Sequence, residues 1–112
     1  MKSEKQSFPQ LIRSLPRFDG PLDAHRLEAS GCVVLFASYP AGTEIAPHSH
    51  ATENVGVITA GELTLITDGD ERRFGPGEWY HLDPDQVHAA RFAVETSEIE
   101  FWFGGGEGDE ER

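Results

Sequence analysis

Five histidines are spread over the chain, and three of them stand where they could share one task. His48 and His50 flank a single serine in "PHSH", and His88 follows thirty-eight residues after His50. Side chains alternate across a strand, so on an extended segment His48 and His50 project to the same side. Two imidazoles side by side can hold one cation, yet a lone His-x-His at a strand end more commonly meets solvent. The third histidine alters that balance. In "VHAARFAV" positions 88, 90, 92 and 94 read His, Ala, Phe and Val, while 89, 91 and 93 read Ala, Arg and Ala, which assigns His88 to the inward face with Phe92 and Val94. A buried neutral imidazole left unsatisfied costs on the order of 1 to 3 kcal/mol. A hydrogen bond to backbone removes that cost for one histidine, and a shared metal removes it for several at once.

Glu53 and Asn54 compete for a further place beside the histidines. A slip of one residue reverses every side chain of a strand, so only one of the two can face inward. A strand whose inward face continues through Gly56 and Ile58 points Asn54 inward and Glu53 outward, whereas a β-bulge would bring Glu53 in. His81 in "EWYHL" is a candidate acid or base in the same cavity, with surface placement as its alternative. Tyr80, Trp79, Phe92 and Trp102 are candidate walls, a role that aromatics of a small barrel share with plain core. His25 lies in an irregular region and reads as exposed. Asp68, Gly69 and Asp70 form a turn and not a calcium loop, because the other ligands of such a loop are missing.

The elements that would carry these residues are short. After Gly31, proline and glycine recur too often for any long helix. Eight strands are expected, at 32–39, 43–50, 54–60, 62–67, 71–74, 78–82, 87–94 and 97–103, and eight short strands with regular turns imply a sandwich or barrel. In the last of them Ile99, Phe101 and Phe103 share one face and Glu98 and Glu100 the other, the period-two pattern of a strand with one buried side. "TDGDE" predicts a tight hairpin, with Asp-Gly supplying the positive φ of a primed turn. Before residue 31 the pattern predicts one helical turn over 10–15 and then an extended arm, able to cover a sheet edge of its own chain or a neighbour's.

The chain of 112 residues, 38% hydrophobic, suffices for one core. We expect a flexible start at 1–7, one domain at 8–103 with its barrel at 31–103, and a disordered acidic tail at 104–112. A net charge of −11 with scattered basic residues argues against nucleic acid. The single cysteine, Cys32, excludes a disulfide framework and reads as a buried small residue. No segment approaches the roughly 20 apolar residues of a membrane helix and no signal peptide is visible, so a soluble, cytoplasmic protein is expected.

The stretch from Gly42 to Phe92 resembles the two-motif core of the cupin superfamily, in its small single-domain, RmlC-like form. The first motif runs Gly, five residues, His-x-His, three or four residues, Glu, six residues, Gly. Here Gly42, His48, His50, Asn54 and Gly61 meet every spacing, with Asn54 in the glutamate's place. The second runs Gly, five residues, Pro-x-Gly, two residues, His, three residues, Asn. Gly77 and His88 match it, Pro84 is displaced by one, and Asp85 and Phe92 replace the second glycine and the asparagine.

The resemblance implies an all-β fold, a double-stranded β-helix or jelly-roll barrel with an irregular N-terminal arm, holding a metal in its wider mouth. Carried over position by position, it makes His48, His50 and His88 ligands and Asn54 a fourth, neutral one. It implies a divalent transition metal, Zn, Ni, Fe, Cu or Mn. An amide in place of a carboxylate leaves the ion its full +2 charge, which disfavours Mn(II) and suits three-histidine ions such as Zn(II), for which bound water can reach a pKa of about 7. It further implies a small-molecule ligand and a homodimer through exchanged edge strands. Two functions follow as expectations: a metalloenzyme (oxygenase, isomerase or lyase) acting on a small organic molecule, or a non-catalytic binder or sensor with a degraded metal site. The fold selects no reaction.

Overall fold

A computed structural model describes residues 8–19 and 23–104. The expected flexible start at 1–7 and nearly all of the acidic tail lie outside the described residues. One helical turn, α1 (Gln10–Arg13), precedes nine strands: β1 (Asp23–Ala29), β2 (Cys32–Tyr39), β3 (Thr43–His48), β4 (Glu53–Ala60), β5 (Leu63–Thr67), β6 (Asp70–Phe74), β7 (Trp79–Leu82), β8 (His88–Phe92) and β9 (Thr96–Phe103). They form two antiparallel sheets, ordered β1-β2-β9-β4-β7 and β3-β8-β5-β6. The two sheets make a jelly roll. Leu35, Ala37 and Ile58 from the first meet Leu63, Leu65, Phe74, Ala90 and Phe92 from the second in one apolar cluster. Tyr39 stacks on Phe92 across the gap, with ring centroids 4.2 Å apart.

The arm contributes the strand that the pattern had not resolved. Residues 23–29 pair with β2 of the same chain from Asp23↔Ser38 to Ala29↔Cys32, so the arm covers its own edge. Its periodicity is weak because only Ala24 of this edge strand is buried. His25 is half-buried there, its Nδ1 3.1 Å from the Leu15 carbonyl. Cys32 is a free, half-buried thiol. The Asp-Gly hairpin forms as predicted: Thr67 pairs with Asp70, and Asp68 and Gly69 have φ of 52° and 81°.

Two faces differ from expectation. β8 ends at Phe92, so Val94 lies past the strand and is exposed. β9 is turned the other way. Glu98 and Glu100 are 3% and 6% exposed, while Ile99 and Phe101 are only half-buried and Phe103 is exposed. The alternation is real, but register decides its direction: Glu98 lies opposite Ala37 and Ile58, and Glu100 opposite Leu35 and Gly56, all on the inner face. The apolar side of β9 faces outward, where Phe101 stacks with Trp79 and with Phe103.

Candidate metal centre and cavity

The three histidines reach one place by different routes. Along β3, Ile45 packs against the core, and strict alternation would send Pro47 inward and His48 outward. The ladder prevents this. Ile45 lies opposite Ala90 but His48 lies opposite His88, so three steps on β3 answer two on β8, and the extra residue is a β-bulge. Pro47, with no N–H to give a ladder, sits within it. The bulge turns His48 to the side of Ile45 and sets it against His88 across the strands. His50 lies beyond the strand end, in the turn before β4, and not on a strand continuing to residue 50.

The imidazoles converge. Ring centroids are 4.7 Å apart for His48 and His50, 4.2 Å for His48 and His88, and 5.3 Å for His50 and His88. One ring nitrogen from each can be chosen so that all lie within 4.8 Å of one another. Backbone carbonyls fix two of the rings: Nδ1–H of His48 donates to Ala46 O at 2.8 Å and Nδ1–H of His88 to Gln86 O at 3.0 Å. In that tautomer Nε2 of each ring is a lone pair, the form a metal needs. Burial lowers the His88 pKa and the neighbouring His48 lowers it further, against the opposing pull of the Gln86 carbonyl and the Glu100 charge. His88 is therefore held neutral.

Asn54 is on the inner face, 6% exposed, between Trp102 and Leu82 in the ladder. Its Oδ1 accepts the Thr52 hydroxyl at 2.6 Å, and an amide oxygen has a second lone pair left for a cation. Glu53 and His81, both expected as candidate cavity groups, are corrected: they stand outside, where His81 Nε2 meets Glu53 Oε2 at 2.6 Å and Asp83 at 3.7 Å. Their strands present odd-numbered positions outward there, as Val55↔His81 pairing requires. So exposed an ion pair contributes about 0 to 1 kcal/mol.

The histidines open onto a cavity of about 360 Å³. Tyr80 and Phe92 line it as expected, and so do Tyr39, Glu98, Glu100 and Trp102. Tyr39 O–H donates to Glu100 Oε2 at 2.7 Å, Trp102 Nε1–H to Glu100 Oε1 at 3.1 Å, and Tyr80 O–H to Glu98 Oε1 at 2.8 Å. Gly56 makes the last contact feasible, since a Cβ there would lie 2.4 Å from the Tyr80 ring. Burial, and then the adjacent Glu100 carboxylate, push the Glu98 pKa well up. Burial and the glutamate charges likewise raise both tyrosines. Sequence reasoning missed Glu98, Glu100 and Tyr39 because glutamate alternating with phenylalanine reads as the solvent side. The signal that could have found them is a second apolar face, on "WYHL" and "NVGV", which gives the outer side of β9 apolar neighbours.

Comparison with known proteins agrees with this fold. The family profile described as a cupin domain matches residues 35–103. No curated protein matches. Among solved structures, the chain resembles an RmlC-like cupin from Shewanella frigidimarina (TM-score 0.74, 20% identity, covering 90% of this chain and 91% of that one). It also resembles KdgF from Halomonas sp. (TM-score 0.72, 15% identity, 86% and 92%). A third is salicylate 1,2-dioxygenase from Pseudoaminobacter salicylatoxidans, solved with gentisate (TM-score 0.68, 15% identity), of which the chain covers 27%.

Proposed function

The chain belongs to the cupin superfamily, and on that footing we propose that it binds a divalent transition metal through His48, His50 and His88, with Asn54 beside them, and acts on a small organic molecule held in the barrel. The observation that carries this reading is the convergence of three imidazoles, two of them oriented by backbone carbonyls. The donor set fits such an ion: three neutral nitrogens and one amide oxygen suit Zn(II), Ni(II), Cu(II) or Fe(II) better than Mn(II). Bound there, the metal supplies Lewis acidity to a ligand atom. The chain's own residues do the rest. The apolar walls exclude water, the bulge at Pro47 holds His48 against His88, and the Glu98–Tyr80 pair keeps a proton inside the cavity.

The reaction class is an oxygenase, isomerase or lyase step on a molecule that chelates the metal. A second reading, a non-catalytic small-molecule binder or sensor, is favoured by one feature, the amide at 54 where a carboxylate would strengthen the site. Metal content of tag-free protein, measured on wild type beside His50→Ala, tests the shared premise. A stoichiometric metal lost in the variant supports it, and none in either overturns it. Turnover of an identified ligand that vanishes in His88→Ala then separates enzyme from binder.

The working unit in this reading is a cytoplasmic homodimer. Support comes from the outer face of the five-stranded sheet, where Trp79, Phe103 and Leu27 are 57%, 41% and 44% exposed, an apolar patch of the kind that packs against a second copy. No described helix is long and apolar enough to cross a membrane. Sedimentation of wild type beside Phe101→Ser checks the dimer: a monomeric wild type refutes it.

A further inference from the structure

The carboxyl pair lines the same cavity as the histidines. Along β9 the inward positions run Trp102, Glu100, Glu98. Trp102 pairs with Asn54 and lies 4.4 Å, ring to ring, from His50. Glu100 is two residues further in, about 7 Å at the rise of a strand, and Glu98 about as far again. The cavity therefore has two chemically distinct ends, neutral nitrogen donors at one and acids at the other.

The acid end holds two buried carboxyl groups. Two donors from tyrosine and indole point at Glu100, which takes them as an acceptor, and the Tyr80 hydroxyl points at Glu98. A buried charge is ordinarily paired. Among the described residues lining this cavity there is no lysine and no arginine. The polar donors around Glu100 are all neutral, and a carboxylate offers about four lone-pair sites, more than they fill. The surrounding walls are aromatic: Tyr39, Tyr80, Phe92 and Trp102. Aromatic faces attract organic cations, more strongly where water is excluded. Carboxylate and ring faces thus ask for the same thing by independent physics.

We infer that the ligand is a small organic ammonium compound, its protonated amine held by Glu100 and Glu98 within the aromatic walls and its other end directed to the three histidines. This rests on the reading of the cavity as a small-molecule site and adds the chemical class that enters it. The same arrangement works against carboxylate ligands at this end, because a second anion there would meet Glu100 with no cation to separate them.

The inference is tested on metal-free, chelator-treated protein at pH 7 by calorimetry with three matched probes, 2-phenylethylamine, 2-phenylethanol and phenylacetate. The amine binds about tenfold more tightly than the alcohol, a factor in line with one desolvated ion pair or cation–π contact, and phenylacetate binds most weakly. In Glu100→Gln, which keeps the shape and an acceptor for Tyr39, the amine-to-alcohol ratio falls to about 1. Equal binding of amine and alcohol, a preference for phenylacetate, or no binding of the amine at millimolar concentration overturns the inference, and the wild-type order decides it if Glu100→Gln does not fold. Amine selectivity in a protein that purifies tag-free without metal would overturn the metal reading alone, and a protein that purifies with metal but shows no amine selectivity once chelated would overturn this inference alone.

Discussion

Replacing Glu98 by glutamine should make the protein more stable as pH rises, relative to wild type. Glu98 is buried beside Glu100, and its pKa is pushed well above the ordinary value of 4.5. The folded protein then keeps a proton that the unfolded chain releases above that value. Stability depends on pH through the protons bound by the two states, and here the folded state binds more, so stability is lost as pH rises from 4.5 toward the raised folded pKa. Each pH unit within that window removes about 1.4 kcal/mol. Glutamine keeps the carboxyl's shape, accepts from Tyr80, and does not titrate.

The difference between variant and wild type should therefore grow as pH rises from 5 toward the raised folded pKa, no faster than that slope. For a domain of this size each kcal/mol moves the melting temperature by roughly 4 to 8 °C. The assay is urea unfolding at pH 5, 6 and 7 in chelator, with m-values compared so that only stability is read. Taking the difference between the two proteins cancels other titrations, including His88, whose lowered pKa acts oppositely by removing stability as pH falls below the unfolded value. Parallel curves for the two proteins, with a constant gap from pH 5 to 7, would refute the claim that Glu98 keeps its proton.

Three other substitutions probe the site and its support. Asn54→Asp places a carboxylate on the inner face beside the histidines and should raise metal affinity and admit Mn(II), measured by competition with a chelating dye. Gly56→Ala drives a Cβ to 2.4 Å from the Tyr80 ring; it should cost about 1 to 3 kcal/mol in urea unfolding and shift tyrosine absorbance as the Glu98 contact breaks. Phe92→Ala removes a ring that is 1% exposed and stacked on Tyr39, so a loss of about 3 to 5 kcal/mol is expected in the same assay.

Spacing made the histidine end of the cavity legible. His48, His50 and His88 sit at intervals that local rules can interpret, and Asn54 could be set inward because Gly56 and Ile58 extend its face. The hairpin at Asp68-Gly69 was equally plain, since its chemistry is contained within two residues. β1 was hidden for the opposite reason: an edge strand with one buried residue has almost no period to detect. His48 was placed well by an incomplete argument. Its orientation depends on the bulge at Pro47, and a bulge is a property of the ladder with β8, which no single segment contains.

The acid end shows where that kind of reading stops. "SEIEFWF" alternates cleanly, and hydrophobicity alone assigns its aromatics to the interior. A strand has two faces and the pattern says only that they differ; which one is inside is set by neighbours on either side. Here those neighbours place Leu35 and Gly56 against Glu100, and Tyr39 and Tyr80 bring the hydroxyls that make burial of two carboxyls tolerable. Four hydrogen-bonding groups from three strands thus had to be assembled before the inversion made sense. A protein that buries two acids at such expense, while leaving Trp79 and Phe103 in contact with solvent, breaks the rule of apolar inside and polar outside on both faces of one sheet. Departures of this kind concentrate at functional surfaces, and both departures are accounted for if the inner face takes a ligand and the outer face takes a second copy of the chain.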